Sequence, residues 1–289
     1  MSTRLALYDR VAEEVASVVI RKYSTSFGLA SRLLGPDVRQ HVENIYALVR
    51  VADEVVDGPA TEAGLDMVGA GRALNELERE TEHAMDSGFS ANLVVHAFAL
   101  TAREVGFDAE LTAPFFDSMR ADLSQKEHDQ ASFDRYVYGS AEVVGLMCLA
   151  AFLKGHGFDE EKTERMQRGA RALGAAFQKV NFLRDLGTDF DALGRSYFPG
   201  IRVDSFTEAE KHRLLDDIDD DLAVSATAVP QLPASSRRAV ALAQSLFAEL
   251  SVRLRATPAD QLVRARVRVP NPVKARLALV ASLGGMPKP

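Results

Sequence analysis

The chain has almost nothing that would staple, anchor or export it. Cys148 is its only cysteine, so no intrachain disulfide can form, and a reducing cytoplasm is the expected compartment. Long apolar runs are missing. The longest, Val143 to Leu153 between Glu142 and Lys154, falls well short of the roughly 20 residues a membrane span needs, so no span is expected. The start, MSTRLALYDRVAEEVA, mixes acids with apolar residues, and no signal peptide is expected. Positive charge is outweighed, at a net -7. That argues against a nucleic-acid partner, and it obliges an anionic substrate to bring a cation or find a local basic patch. Hairpin signals, alternating strand runs and internal repeats are also absent.

What is present is helical pattern. Hydrophobic residues make up 47% of 289, enough for a sizeable core. Apolar periodicity predicts helices near 4–21, 37–57, 63–85, 90–105, 109–123, 132–155, 160–189, 207–225, 235–256 and 272–283. The segment Ala265 to Pro270 is expected to be extended because the proline ends it. No Ser/Gly linker divides the chain. The expectation is therefore a single all-α domain over 1–289, its helices surrounding a central cavity or core.

Two acidic stripes carry the chemistry. In RVADEVVDG, Asp53 and Asp57 stand against the negative pole of a helix that is about to end at Gly58, where acids are unfavourable. On that helix Ile45, Leu48, Val49, Ala52, Val55 and Val56 share one arc, the core face. Tyr46, Arg50, Asp53 and Asp57 form a second, narrow stripe. In QKVNFLRDLGTDF, Asn181, Asp185 and Asp189 repeat every four residues along roughly 12 Å of helix, at about 1.5 Å per residue. Phe177, Val180, Phe182, Leu183 and Leu186 cover much of the remaining surface, so this polar stripe is expected to face an internal cavity. One such pair alone reads as a solvated helix face. Two pairs, each beside an arginine and near a helix end, favour a shared site.

Carboxylates clustered in a partly buried cavity repel unless a cation sits between them. Only oxygen ligands are on offer, which favours Mg²⁺ over zinc, with the remaining shell left to water and substrate phosphates. Mn²⁺ is expected to substitute. The hydroxyls of YSTSF (Tyr23 to Phe27) and the forked donors Arg50, Arg184 and Arg195 suit phosphate oxygens. GRSYFP (Gly194 to Pro199) follows the second stripe closely enough to fold over it. Other signals are weak. Glu80 and His83 match E-x-x-H, but only one copy exists and it lies in a charged stretch. Gly69 and Gly71 have no strand before them, and position 74 is leucine, so no dinucleotide loop and no NADPH are expected. For Asp117 and Asp122 the bland reading is preferred over membership of the acidic cavity.

YSTSFGLASRLL, IYALVRVADEVVD and QKVNFLRDLGTDFDALGRSYFP resemble the squalene/phytoene synthases, the head-to-head prenyl transferases. YVYGSAEVVGLM and the late RVRVP segment are similar to further parts of that family, in the same order, and the chain looks most like its actinobacterial phytoene synthases. The resemblance implies an isoprenoid synthase fold with the two stripes facing across a cavity. It implies that Asp53, Asp57, Asn181, Asp185 and Asp189 bind Mg²⁺ and diphosphate, with Ser24, Ser26, Arg50 and Arg184 on the diphosphates. Tyr138, Gln178 and Tyr197 would line the chamber, where Phe27, Tyr138 and Phe177 could face a carbocation. The implied reaction joins two geranylgeranyl diphosphates into phytoene through a cyclopropyl diphosphate, in carotenoid biosynthesis. A farnesyl-using synthase making dehydrosqualene or hydroxysqualene, and a non-catalytic assembly factor of the same fold, remain as alternatives. Two departures stand out. Glu54 occupies a position where the family usually has a second Asp, and is expected to matter little because it lies outside the stripe. Phe247 lies where the family often has a tyrosine, so one hydroxyl contact is expected to be missing. Peripheral contact with the inner membrane face is expected of an enzyme with lipid substrates. The residues carry no signal of oligomeric state.

Overall fold

The computed structural model describes residues 3–24, 26–193 and 195–285, without the side chains of 26 and 188–193. The chain runs through α1 (Arg4–Tyr23), α2 (Ser26–Ser31), α3 (Pro36–Val56), α4 (Pro59–Glu62), α5 (Met67–Ser87), α6 (Leu93–Val105) and α7 (Ala109–Ser124). It continues through α8 (Gln130–Val137), a π turn (Tyr138–Glu142), α9 (Val143–Leu153), α10 (Glu160–Leu193), α11 (Glu208–Ala228), α12 (Ala234–Ala256), α13 (Ala259–Leu262) and α14 (Asn271–Ser282). Among the described residues there is no strand, only an isolated bridge between Glu127 and Ser196.

Local chemistry sets most boundaries. Thr3 accepts the Ala6 amide ahead of α1, and Asn92 accepts those of Val94 and Val95 ahead of α6. Thr207 and Glu210 cap α11 reciprocally. Gly88 and Gly106, both left-handed, end α5 and α6. The short helices α2, α4 and α13 were not anticipated from periodicity, since one turn or so offers no repeat to read. Segment 266–270 is non-helical, as the proline foretold.

The expected helix 132–155 is instead α8, a π turn and α9 in one rod. By length (24 residues) and by the mean hydropathy of its most apolar 18 residues (1.6) alone, Gln130–Leu153 could cross a membrane, which corrects the expectation drawn from the shorter run Val143–Leu153. In the fold this rod is an inner helix. No residue from Tyr136 to Leu153 is exposed, and the rod packs against α3, α7 and α10. The π turn begins where the chain meets α7: a Cβ on Gly139 would stand 2.1 Å from the Pro114 carbonyl oxygen.

Two main cores flank the centre of the molecule. One gathers Ile45 and Leu48 of α3, Phe98 of α6 and Phe116 of α7. The other gathers Leu183 of α10, Leu215 of α11, and Leu242 and Leu254 of α12. A smaller cluster of Leu34, Val42, Phe152, Met166 and Leu232 closes the space between them at one end.

Candidate active site

Between these clusters lies a cavity of about 530 Å³. Its deep end is apolar, walled by Val42, Val144, Leu149, Phe152, Met166 and Leu232. Its other end is polar, with Tyr23, Ser24, Tyr46, Gln178, Asn181, Arg184 and Arg266. Helices α3 and α10 both contribute to this wall, through Tyr46 of the first stripe and Asn181 of the second, whereas the side chains of Asp53, Asp57 and Asp185 do not line it. Phe27 stacks on Tyr46 with centroids 5.7 Å apart, and Phe177 stacks on Phe247 at 3.7 Å. All four rings line the cavity. Phe247 thus extends the apolar wall where a tyrosine would have brought a hydroxyl.

At the α3 stripe, Arg50 lies over the Tyr23 ring at 4.6 Å and donates to Asp53 Oδ2 at 2.7 Å. Its other arm is held by Glu54. Glu54 is therefore no bystander, contrary to the sequence expectation: it fixes the guanidinium next to the stripe. Burial, then the Asp57 carboxylate, raise the Asp53 pKa above its ordinary value, while Arg50 opposes them. The side chains of Asp53 and Asp57 are within hydrogen-bonding reach of each other.

Asp57 is gripped from the far side of the sequence. Arg195 donates to Asp57 Oδ1 at 2.7 Å, to the Val56 carbonyl at 3.0 Å and to the Tyr197 hydroxyl at 3.1 Å. It thereby caps the end of α3, and this is how GRSYFP folds over the site: it crosses to the first stripe. Beneath it lies Asp122, which accepts from the Tyr136 hydroxyl at 2.7 Å and the Tyr197 hydroxyl at 3.2 Å, with Arg195 at 3.5 Å. Burial pushes the Asp122 carboxyl up to about 6, against the pull of Arg195 and the two phenols. Asp122 does join the acidic site, whereas Asp117 is an exposed partner of Arg120. The deciding signal was weak: Asp122 sits on the buried side of α7 with Phe115, Ser118 and Met119.

At the α10 stripe, Asp185 is clamped by two guanidinium groups. Arg184 donates to its oxygens at 3.0 and 2.5 Å, and Arg266 at 2.8 and 3.1 Å. Arg266 has no role in the sequence reading beyond its place in the RVRVP segment, because its partner lies 81 residues away in the chain. Ser24 Oγ accepts the Phe27 amide at 3.1 Å and faces the cavity beside Tyr46. The side chains of Ser26 and Asp189 lie outside the described residues.

Tyr138 and Tyr197 are not on the cavity wall. Tyr138 packs with the α3–α6–α7 core, its ring 5.2 Å from the Arg171 guanidinium, because the π turn shifts it off the cavity side and presents Ser140 and Ala141 instead. Tyr197 is buried on Phe182, at 3.9 Å between centroids, where its hydroxyl serves the Arg195–Asp122 network.

Among the described residues no three His, Cys, Asp or Glu side chains meet closely enough to cage a metal. The donor set nevertheless fits a hard divalent cation. Asp53 and Asp57 are crowded carboxyls whose repulsion a cation would relieve, and Asn181 on the cavity wall offers a further oxygen. Such a partial set leaves positions for ligand phosphates.

Comparison with known proteins agrees with this geometry. A sequence model of the squalene/phytoene synthases matches residues 20–272. The phytoene synthase of Pseudescherichia vulneris is 28% identical over 255 residues, covering 81% of this chain and 79% of that one. The chloroplastic phytoene synthase 3 of Zea mays is 33% identical over 184 residues, covering 63% of this chain and 41% of that one. The match therefore spans less than half the length of the plant relative. Among solved structures, a dehydrosqualene synthase superposes with a TM-score of 0.76 at 21% identity, covering 96% and 97% of the two chains. A squalene synthase from Alicyclobacillus acidocaldarius superposes with 0.73 at 20% identity, covering 86% and 95%. These two likenesses speak for the fold. With the family's sequence pattern running through most of its length, the chain belongs to the squalene/phytoene synthase family.

Proposed function

We propose that the chain is a prenyltransferase that joins two geranylgeranyl diphosphates head to head into phytoene, in carotenoid biosynthesis. The observation that carries this reading is the cavity itself: apolar over most of its wall, with arginines, amides and hydroxyls gathered at one end, two of those arginines holding the Asp185 carboxylate. Its volume lies within the range of about 300–1,000 Å³ usual for small-molecule sites. A prenyl diphosphate has the same division, a long hydrocarbon and a highly charged head.

Arg50, Arg184 and Arg266 would bind the diphosphate heads, and Ser24 and Asn181 would hydrogen-bond to them. Asp53, Asp57, Asn181 and Asp185 would hold Mg²⁺, which when bound neutralises diphosphate charge and so favours its departure. In the first half-reaction one allylic C–O bond breaks and diphosphate leaves. The double bond of the second chain attacks the resulting carbon, and proton loss closes a cyclopropane that still carries its own diphosphate. In the second half-reaction that diphosphate leaves, the ring rearranges, and loss of another proton gives the product. No electrons are added, so the overall balance needs no hydride donor. Val144, Phe152, Phe177 and Phe247 keep water away from the cationic carbons, and the aromatic faces of Phe27 and Phe177 offer them electron density.

The choice of the C20 chain and of phytoene rests on the names of the relatives matched in sequence. The test is incubation of the purified protein with equal farnesyl and geranylgeranyl diphosphate and Mg²⁺, with and without NADPH, followed by mass spectrometry. Phytoene is expected in both arms. A C30 main product would overturn the chain length, and a need for NADPH would overturn the proton-loss ending.

A further inference from the structure

The acidic chain ends in an acid-free segment. From Gln261 to Pro289 there are six Lys and Arg residues and no Asp or Glu, in a protein of net charge -7. Arg266 is spent on Asp185. Arg264, Arg268 and Arg276 are exposed and Lys274 is half-buried. None of these four side chains has an ion-pair partner among the described residues, whereas Arg253 and Arg255 nearby in the chain are both paired.

The helix that follows is apolar on the wrong side. Leu277 and Ala281 of α14 are fully buried and face the core. On a solvated helix the opposite side should be polar. Instead Leu279 is 62% and Leu283 81% exposed, with Val280 at 36%. These three stand at i+3, i+7 and i+4 from Arg276 and so share its outward side. A face that is basic at one end and greasy along its length suits an interface between water and lipid, where cations meet headgroup phosphates and leucines enter the acyl boundary.

We propose that the outward face of α14, with the Arg264–Arg268 segment before it, docks the protein onto an anionic phospholipid bilayer. Charge decides among occupants. In a symmetric contact with a second copy, this patch would oppose itself and set its arginines against one another. A nucleic acid would leave Leu279 and Leu283 in water. An anionic bilayer satisfies both kinds of side chain, and it repels the acidic remainder of the molecule, which fixes the orientation. Position fits as well. Helix α14 rests on α12 and α2, and both of those also wall the cavity, through Ala243, Phe247, Phe27 and Ala30. The lipid-facing surface is thus one helix layer from the apolar chamber. The inference rests on charge and exposure and does not depend on which prenyl chain the site accepts.

The test is flotation of the full-length protein with vesicles of phosphatidylcholine alone or mixed with phosphatidylglycerol. Wild type should float with the anionic vesicles only, and less as salt rises. Each Lys or Arg held at an anionic surface is worth roughly a fivefold change in affinity. Arg264→Gln/Arg268→Gln/Arg276→Gln should therefore weaken binding by more than tenfold, and so should Leu279→Ser/Leu283→Ser. These side chains are exposed, so folding should be kept, and circular dichroism checks it. The chain has no tryptophan, which makes Leu283→Trp a single reporter whose emission should shift to the blue on anionic vesicles. Failure of wild type to float, equal binding to neutral vesicles, wild-type binding by both variants, or unshifted emission from the floated reporter would each overturn the proposal. So would light scattering that shows a dimer broken by Leu279→Ser/Leu283→Ser, since the face would then belong to a second copy.

Discussion

Asp185 is clamped by two forked cations, while Asp53 is crowded by another acid, so equal substitutions there should have unequal effects on stability. Asp53→Asn removes a carboxylate that burial and Asp57 already penalise, and should leave the metal-free protein as stable as wild type or more so. Asp185→Asn removes the acceptor of both Arg184 and Arg266, and should lower stability. Both should cut kcat at least a hundredfold, since one contact that stabilises a leaving group is worth about 3 kcal/mol. Steady-state kinetics beside urea unfolding would check both halves; wild-type turnover in either folded variant would sink the assignment of these stripes. Asp122 gives a pH signature. Its folded pKa is raised from 3.8 to about 6, so the proton-bound form favours the fold, and that stability is full below about pH 4 and lost as pH rises through 6. Asp122→Asn has no such group. In metal-free buffer its stability relative to wild type should climb by about 3 kcal/mol between pH 3.5 and 7. A difference that is flat with pH in paired denaturation curves would contradict this. The stripes themselves were legible because spacing on one helix is a local property. Asp122, Arg195 and Arg266 were harder to read, because their partners lie 75 or more residues away in the chain for Tyr197–Asp122, Arg195–Asp57 and Arg266–Asp185.

Helices as units were legible for the same reason, and what escaped is how closely they approach. Apolar repeats foretold the long helices, but nothing local announces the π turn, which holds Gly139 where it passes the Pro114 carbonyl of another helix. Close approach also explains Gly187. A Cβ there would stand 1.8 Å from the Val263 carbonyl oxygen, so the segment leading to Arg266 lies directly on α10. That contact sets where Arg266 reaches Asp185. Gly187→Ala should push the segment outward, lengthen the Arg266–Asp185 pair and weaken diphosphate binding. We expect the KM for prenyl diphosphate to rise tenfold or more, with a smaller change in kcat. An unchanged KM would mean that the segment finds its place without this contact. Gly145 and Gly174 act similarly where α9 and the π turn before it cross α10, facing the Ala170 and Ala141 carbonyls at 2.6 and 2.5 Å from a built Cβ. Alanine at either should loosen the wall that carries Ser140, Ala141 and Leu173.

At the scale of the whole molecule, charged contacts tie α3, α10 and the segments that follow them, beside the stacking of Tyr197 on Phe182. Arg195 joins its segment to α3, and Arg266 joins the C-terminal segment to α10. Between those ties stand carboxylates that repel, so the cavity mouth should be the part of the fold that gains most from a cation and an anion bound together. A ligand that binds only the folded state at a hundred times its Kd adds about 2.7 kcal/mol, and for a chain somewhat larger than 250 residues each kcal/mol is worth roughly 2 °C in Tm. Mg²⁺ with inorganic diphosphate should therefore raise Tm by about 5 °C, and Mn²⁺ should act likewise. Either component alone should do much less, because Mg²⁺ alone leaves the arginines unfilled and diphosphate alone faces the acids. Removal of the metal by EDTA should reverse the gain. The same addition to Asp53→Asn should give little or no shift, which separates binding at this mouth from a general salt effect. If scanning calorimetry finds equal shifts in wild type and Asp53→Asn, the cation is bound elsewhere and the paired-stripe site is wrong.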